Sequence, residues 1–289
     1  MANFKGTKIN PSHFSLSQVK FLLYLIPICL FMALPIIYIL NNAFKPADEL
    51  FAYPPKFFVI KPTLRNFTNL FRQSSSSGVP FTRYLFNTIV TTILGVTLTL
   101  IMTAMTGFGL SKLNFRGKKA LFKINQMALM FVPIAVTIPR FIIITKIGFY
   151  NSFWAQIIPA LAMPVGLFLI KQNVDQVPNE LIEAAKMDGA TDFQVFFKIV
   201  IPIIKPALAT VAILAFQEFW NSETASNLYI DSESKKTLAF FLSTISAGST
   251  VAGKGMEAAA TFIMFVPNLI IFVLIQNKVM DTMAHSGIK

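Results

Sequence analysis

Residues 21–42 read FLLYLIPICLFMALPIIYILNN, twenty-two positions without a charge. A helix rises about 1.5 Å per residue, so a run of ~20 apolar residues matches the hydrocarbon thickness of a bilayer. The rest of the chain repeats the pattern. Tyr84 to Ser111, Ile147 to Ile170 and Ala258 to Asn277 are further uncharged runs of that length. Ile124 to Pro139 is shorter and becomes adequate if its helix continues through Arg140 to about Thr145. Ile203 to Asn221 is apolar except for Lys205 and Glu218. This reading gives an all-α integral membrane protein with six transmembrane helices.

Composition supports the same class. Of 289 residues, 54% are hydrophobic and only 13% charged. A soluble domain of this length carries more charge, distributed along amphipathic faces. The net charge of +12 is spread over short loops beside the apolar runs, which points to anionic lipid headgroups as counterions rather than nucleic acid.

Orientation follows from the basic residues of the short loops. Lys112, Arg116, Lys118, Lys119 and Lys123 form the densest cluster, and the N-terminal tail carries Lys5, Lys8 and Lys20. Both belong in the cytoplasm, although the opposing segment from Lys45 to Arg83 holds six basic residues of its own. With six spans both termini are cytoplasmic. Residues 1–20 are then an N-terminal tail, 21–280 the membrane domain with an outer loop at 43–83 and a cytoplasmic loop at 171–202, and 281–289 a C-terminal tail. The first run lacks a small-residue cleavage pattern and reads as a retained anchor. Cys29 is the single cysteine, so no disulfide forms within the chain.

The loop at 171–202 is a charged, helix-forming island. Pro178-Asn179 supplies a helix start, with the Asn side chain as acceptor for free amides. Glu180 and Glu183 lie toward the positive end of the helix dipole and Lys186 toward the negative end, while Gly189 is placed for a left-handed cap. Thr191 and Gln194 fit a capping box for a second helix through Phe193, Phe196, Phe197 and Val200, which meets the next apolar run near Pro202. Spacing alone leaves two readings, an ordinary capped connection or a rigid elbow built for docking.

Residues 183–190, Glu-Ala-Ala-Lys-Met-Asp-Gly-Ala, followed by Ile199 and Pro202, closely resemble the EAA loop of the membrane-spanning subunits of bacterial ATP-driven importers. The likeness extends along nearly the whole chain, through Asn42-Ala43-Phe44-Lys45-Pro46 with Glu49, Pro54-Pro55, Thr63, Asn66-Phe67, Tyr84 with Asn87, Pro133, Ile138-Pro139, Pro178 with Glu180, and Phe219-Trp220-Asn221. The chain is most similar to the second permease of maltose-type carbohydrate importers. It departs from them at its C-terminus, which lacks a Gly-rich Lys-Gly tail, and at Arg140, where an apolar residue is usual.

The resemblance implies a bacterial plasma-membrane subunit that pairs with a second permease, docks on a cytoplasmic ATPase dimer and receives its cargo from an extracytoplasmic solute-binding protein. It implies Glu183, Ala184, Ala185, Asp188 and Gly189 as the ATPase-coupling site. ATP and Mg would be held by the ATPase, and no cofactor by this chain, which has no Gly-Lys-Ser/Thr phosphate loop. Cargo expectations are a carbohydrate, with a polyol or glycerol phosphate as the alternative and an ion-coupled secondary carrier as a remote one.

Arg140 and Glu218 interrupt apolar runs, and with Asn221 they are candidates for the translocation path, the two charges either paired with each other or lining the entry of the cargo. Ionisable groups in spans are functional by default; the competing reading is that both snorkel to the outer headgroups. Enzymatic chemistry is poorly supplied. His13 and His285 are the only histidines, each near a terminus, and no His/Cys/Asp/Glu group has metal spacing. Ser74 to Ser77 read as a flexible stretch of outer loop. The thirty phenylalanines are mostly lipid-facing or packing residues, and Pro27, Pro35, Pro133 and Pro139 are tolerated in spans with or without a hinge role.

Overall fold

The computed structural model describes residues 16–72, 78–248 and 253–286. Lys5, Lys8, His13, the Ser74–Ser77 run and the last three residues of the chain lie outside the described residues. The architecture is helical throughout. Its principal helices are α1 (Leu16–Phe44), α2 (Phe81–Lys112), α3 (Lys118–Ala128), α4 (Thr137–Lys146), α5 (Pro164–Asp175), α6 (Asn179–Met187), α7 (Asp192–Ile203), α8 (Lys205–Trp220), α9 (Leu238–Gly248) and α10 (Gly253–Ser286).

Three helical stretches, Val19–Phe44, Phe81–Lys112 and Gly253–Leu274, are each long and apolar enough to cross a membrane. Three more candidates are helix pairs bent at a short break: Lys118–Ala128 with Pro133–Lys146 by 110°, Phe153–Leu161 with α5 by 43°, and α7 with α8 by 81°. Prolines explain the breaks. The residue before a proline is pushed out of the helical region, and Val132 before Pro133 (ψ 128°) and Met163 before Pro164 (ψ 87°) are so placed. Pro202 and Pro206 flank Ile204 at the third bend.

The uncharged run Ile147 to Ile170 is therefore not one continuous helix, contrary to its reading from composition. α4 ends at Lys146, Gly148 and Asn151 turn the chain with φ of +77° and +55°, and a 3-10 turn at Phe153–Gln156 and a short helix at Ile158–Leu161 precede α5. Apolar composition is blind to such breaks.

Packing divides the chain into two units, residues up to 69 with 250–262, and 70–249 with 263 onward. In the first, the end of α1 is stapled to the segment after it. Lys45 is buried, and its ammonium donates to Asn42 Oδ1 and to the Lys56 carbonyl. Asn66, also buried, donates to the carbonyls of Ala43 (3.0 Å) and Lys45 (2.7 Å). Phe44, Phe67 and Phe262 form a triangle of rings 5.2 to 5.6 Å apart. The residues that carry the family resemblance in this segment are those that hold it in shape.

In the second unit α2 packs against α5 and α8, and small residues set the spacing. A Cβ on Gly95 would lie 2.5 Å from the Phe219 ring, and one on Gly107 2.7 Å from Ile170. Close backbone approach at small residues is how apolar helices gain contact where lipid removes the hydrophobic drive. Thr88, Thr91 and Thr103 return their hydroxyls to carbonyls four residues back on α2. At the α2 end near Tyr84, the segment 221–237 is tied down by buried polar contacts. Asn87 donates to the carbonyls of Ser234 and Lys236, Thr88 Oγ1 accepts from the Leu238 amide, and Ser226 joins Gln156 to Thr237.

Two outcomes follow. Gly95→Leu should lower the yield of folded, detergent-extracted protein severely, because its side chain would occupy the place of the buried Phe219 ring; wild-type yield and melting temperature would contradict the packing. Glu49 accepts the amides of Ile60 and Lys61, both at 2.9 Å, and the Ile60 bond foremost holds its carboxyl below the ordinary range. A depressed carboxylate stabilises the fold above its unfolded pKa and loses that contribution as pH falls through the folded value. Protection of the Ile60 and Lys61 amides should thus be complete at neutral pH and collapse only below the usual Glu range, and it should show no such transition in Glu49→Gln.

Candidate functional site

The elbow between α5 and α8 is built from two capped helices. α6 starts at Asn179 with Pro178 at the N-cap, and no side chain caps it. Asn179 is not the capping acceptor expected from the sequence. Its Oδ1 accepts from Lys112 Nζ at 2.9 Å, and the same ammonium binds the Val177 carbonyl at 2.6 Å. The last residue of α2 thereby grips the base of the elbow. Ser111 donates to Asp175, which Lys171 also holds at 2.6 Å.

α6 ends as the sequence predicts. Asp188 occupies the C-cap, and Gly189 follows at φ +82°. The Ala190 amide bonds to the Ala185 carbonyl (2.9 Å) and the Gly189 amide to Lys186 (3.0 Å), the two reversed bonds of a Schellman motif. No atom lies within 4 Å of where a Gly189 Cβ would be. Glycine is therefore required by backbone conformation rather than by crowding. One residue on, Thr191 opens α7 with both halves of the capping box: its hydroxyl accepts from the Gln194 amide, and the Gln194 side chain accepts from the Thr191 amide. Lys186 and Asp192 bridge the corner at 2.8 Å.

Beneath this corner is an apolar floor. Ile182 of α6 and Val195, Phe196 and Val200 of α7 are buried with Phe108 of α2 and Ile170 and Val174 of α5. The Phe108 and Phe196 rings are 5.3 Å apart. Within α7, Phe196–Val200 form a π segment, with the Ile201 amide reaching back to the Phe196 carbonyl. Pro202 explains it: proline withholds its amide and crowds the carbonyl four residues earlier, so the turn before it opens.

The outer surface differs in character. Glu183, Ala184 and Asp188 are exposed, and the side chains of Glu183 and Asp188 have no ion pair or hydrogen bond among the described residues, while Ala185 is half-buried against the floor. Met187 is 89% exposed at the tip, Phe193 65% and Phe197 61%. A groove of about 400 Å³ is lined by Asp188, Gly189, Gln194 and Lys198. The five residues assigned to coupling are contiguous around one projecting corner. The sequence reading missed Lys112 and the large apolar knobs Met187, Phe193 and Phe197; their signal was apolar residues in a charged, capped loop.

The candidate path residues do not gather into one cluster. Arg140 lies on α4 and Glu218 on α8, both exposed, and no ion pair joins them. Their pairing with each other, one of the expectations above, is absent from this structure. Asn221 C-caps α8, and its amide faces Asn268 of α10 at 3.3 to 3.5 Å.

Residues 95–278 match the family described as binding-protein-dependent transport system inner membrane component. The chain belongs to this family. It is 30% identical over 273 residues to the probable ABC transporter permease protein YurM of Bacillus subtilis (strain 168), covering 92% of this chain and 86% of that protein. It is 27% identical to the arabinooligosaccharides transport system permease protein AraQ of the same organism, covering 96% and 97%. A crystal structure of a bacterial ABC transporter involved in the import of alginate contains a chain similar in fold, with a TM-score of 0.79 at 23% identity, covering 92% of this chain and 98% of that one. The elbow lies wholly within the part that matches the family.

Thr191→Ala removes the acceptor of the Gln194 amide. It should cost about 1 kcal/mol of local stability, read as roughly fivefold faster hydrogen exchange at Gln194; unchanged exchange would mean the box does not hold the corner. Because no contact joins Arg140 and Glu218, the effects of Arg140→Gln and Glu218→Gln on melting temperature should add, and a double variant markedly better than the sum would restore the pair.

Proposed function

We propose that this chain is the permease of a binding-protein-dependent ABC importer for a carbohydrate, an oligosaccharide or glycan fragment, and that the corner formed by α6 and α7 is its grip on a cytoplasmic ATPase. The observation that carries the coupling assignment is the construction of that corner: capped on both sides of Gly189, bridged by Lys186 and Asp192, and floored by packed apolar side chains. Such a piece moves as a body. Its exposed face offers what a protein socket binds, apolar knobs at Met187 and Phe193 beside the carboxylates of Glu183 and Asp188, which have no partner among the described residues.

In this reading six spans, the fifth of them α8 after the corner, cross the membrane with both termini in the cytoplasm. A second permease completes the path, and a solute-binding protein delivers the cargo outside. ATP and its Mg are bound and hydrolysed in the ATPase dimer, whose closure draws two such elbows together. The motion passes through the floor under α6 and α7 into α2, α5 and α8. Arg140, Glu218 and Asn221 remain candidates for contact with the cargo. The carbohydrate assignment is supported by relatives named for arabinooligosaccharides and for polygalacturonan and rhamnogalacturonan, and by the alginate importer.

Gly189→Val tests the elbow. A β-branched residue in the left-handed region is disfavoured by roughly 1–2 kcal/mol, and the Schellman geometry should give way. Expressed with its partner subunits, the variant should insert normally yet take up sugar at least tenfold more slowly and retain less ATPase on copurification. Normal uptake would remove the coupling assignment.

A further inference from the structure

Five basic residues cluster between the end of α2 and the middle of α3, and the fold uses only two of them. Lys112 is committed to Val177 and Asn179, and Lys118 Nζ donates to the carbonyls of Ser111 (2.8 Å) and Leu113 (3.0 Å). Arg116, Lys119 and Lys123 are exposed and have no hydrogen bond or ion pair among the described residues. The nearby acid, Asp175, is taken by Lys171 and Ser111.

Helix geometry sharpens this. Lys119 and Lys123 are one turn apart on one face, where like charges repel. Phe122 and Asn125 hold an adjoining side of α3 to α5, the ring 6.2 Å from Phe168 and the amide donating to the Pro164 carbonyl. The remaining sector is an apolar row. Leu121, Ile124 and Met127 are about half exposed, and they wind around α3 so that Met127, one turn beyond Lys123, adjoins the basic face just before the 110° break. An uncompensated cationic mouth that leads onto an apolar strip on a membrane protein fits a molecule with an anionic head and an acyl chain.

We propose that Arg116, Lys119 and Lys123 form a binding site for an anionic phospholipid headgroup, with Ile124 and its neighbours lining the path of the chain. The occupant is a lipid rather than free phosphate because the apolar row would otherwise be purposeless beside the charges. Each basic residue near an anionic lipid surface contributes about 1 kcal/mol, so three should favour an anionic over a zwitterionic head by well over tenfold. The site is at the foot of the elbow, next to the end of α2 that supplies Lys112. It rests on the membrane placement that the family establishes and is independent of the cargo.

The test uses the full chain in neutral detergent with equimolar phosphatidylglycerol and phosphatidylcholine, and native mass spectrometry to count retained lipids. The wild type should retain phosphatidylglycerol at least tenfold over phosphatidylcholine. Arg116→Gln/Lys119→Gln/Lys123→Gln should bring that ratio close to one, and Lys56→Gln/Lys61→Gln/Arg65→Gln, which removes the same three charges elsewhere, should leave it high. Ile124→Ser should reduce retention of both lipids. An unchanged ratio in the triple variant, or displacement of phosphatidylglycerol by inorganic phosphate at equal concentration, would overturn the lipid site. Neither readout depends on sugar uptake or on the ATPase, so failure here leaves the importer reading intact.

Discussion

The contact on which the elbow depends is the packing of Phe196 and its neighbours under the α6–α7 corner. Ile182, Val195 and Val200 are buried with it against Phe108, Ile170 and Val174. Full burial of one such side chain contributes roughly 1.5–3 kcal/mol, whereas the half-exposed Lys186–Asp192 bridge contributes at most about 1 kcal/mol. The apolar floor therefore decides whether the corner stays attached, and the bridge and caps decide its shape. Removing the floor would leave a well-formed helix pair with nothing to push against.

α2 is the element that connects this floor to the rest of the second unit. Its middle is notched by Gly95 and Gly107, which let Phe219 and Ile170 come against the backbone. Its far end carries Tyr84, Asn87 and Thr88, which fasten the segment 221–237 through buried hydrogen bonds. Its near end carries Lys112. One long helix thus contacts both the α6–α7 corner and the segment at the opposite end, and between them the buried hydroxyls of Thr92 and Thr99 have no hydrogen-bond partner among the described residues.

Most of the corner was legible because capping is local chemistry. Gly189 after a helical run and the Thr191–Gln194 spacing involve bonds between residues three to five apart, so sequence alone fixes the partners. What was not legible lay in contacts between distant positions. Asn179 looks like an N-cap on spacing, yet Lys112, sixty-seven residues earlier, claims its oxygen. The run from Ile147 to Ile170 misled for a different reason. Hydropathy sums side chains over a window, while Gly148, Asn151 and Pro164 act on backbone dihedrals. Arg140 and Glu218 were marked by charge alone, and charge says nothing of whether two helices bring their side chains together.

The prolines that complicate the spans also shape how motion would pass through α7. A regular helix meeting Pro202 would lose one hydrogen bond and clash with the carbonyl of Lys198. The π segment at Phe196–Val200 absorbs that conflict by carrying the Ile201 amide back to Phe196, and the widened turn coincides with the buried side chains of the floor. The helix is thus irregular where it is best packed and regular where it is exposed. A turn with altered hydrogen bonding is softer in isolation, but here Val195, Phe196 and Val200 are clamped from three helices. The 81° bend that follows is centred on Ile204, which is buried in the same apolar cluster together with Ala207 and Val211 of α8, so the bend is packed as one piece with the floor and joins the corner directly to α8.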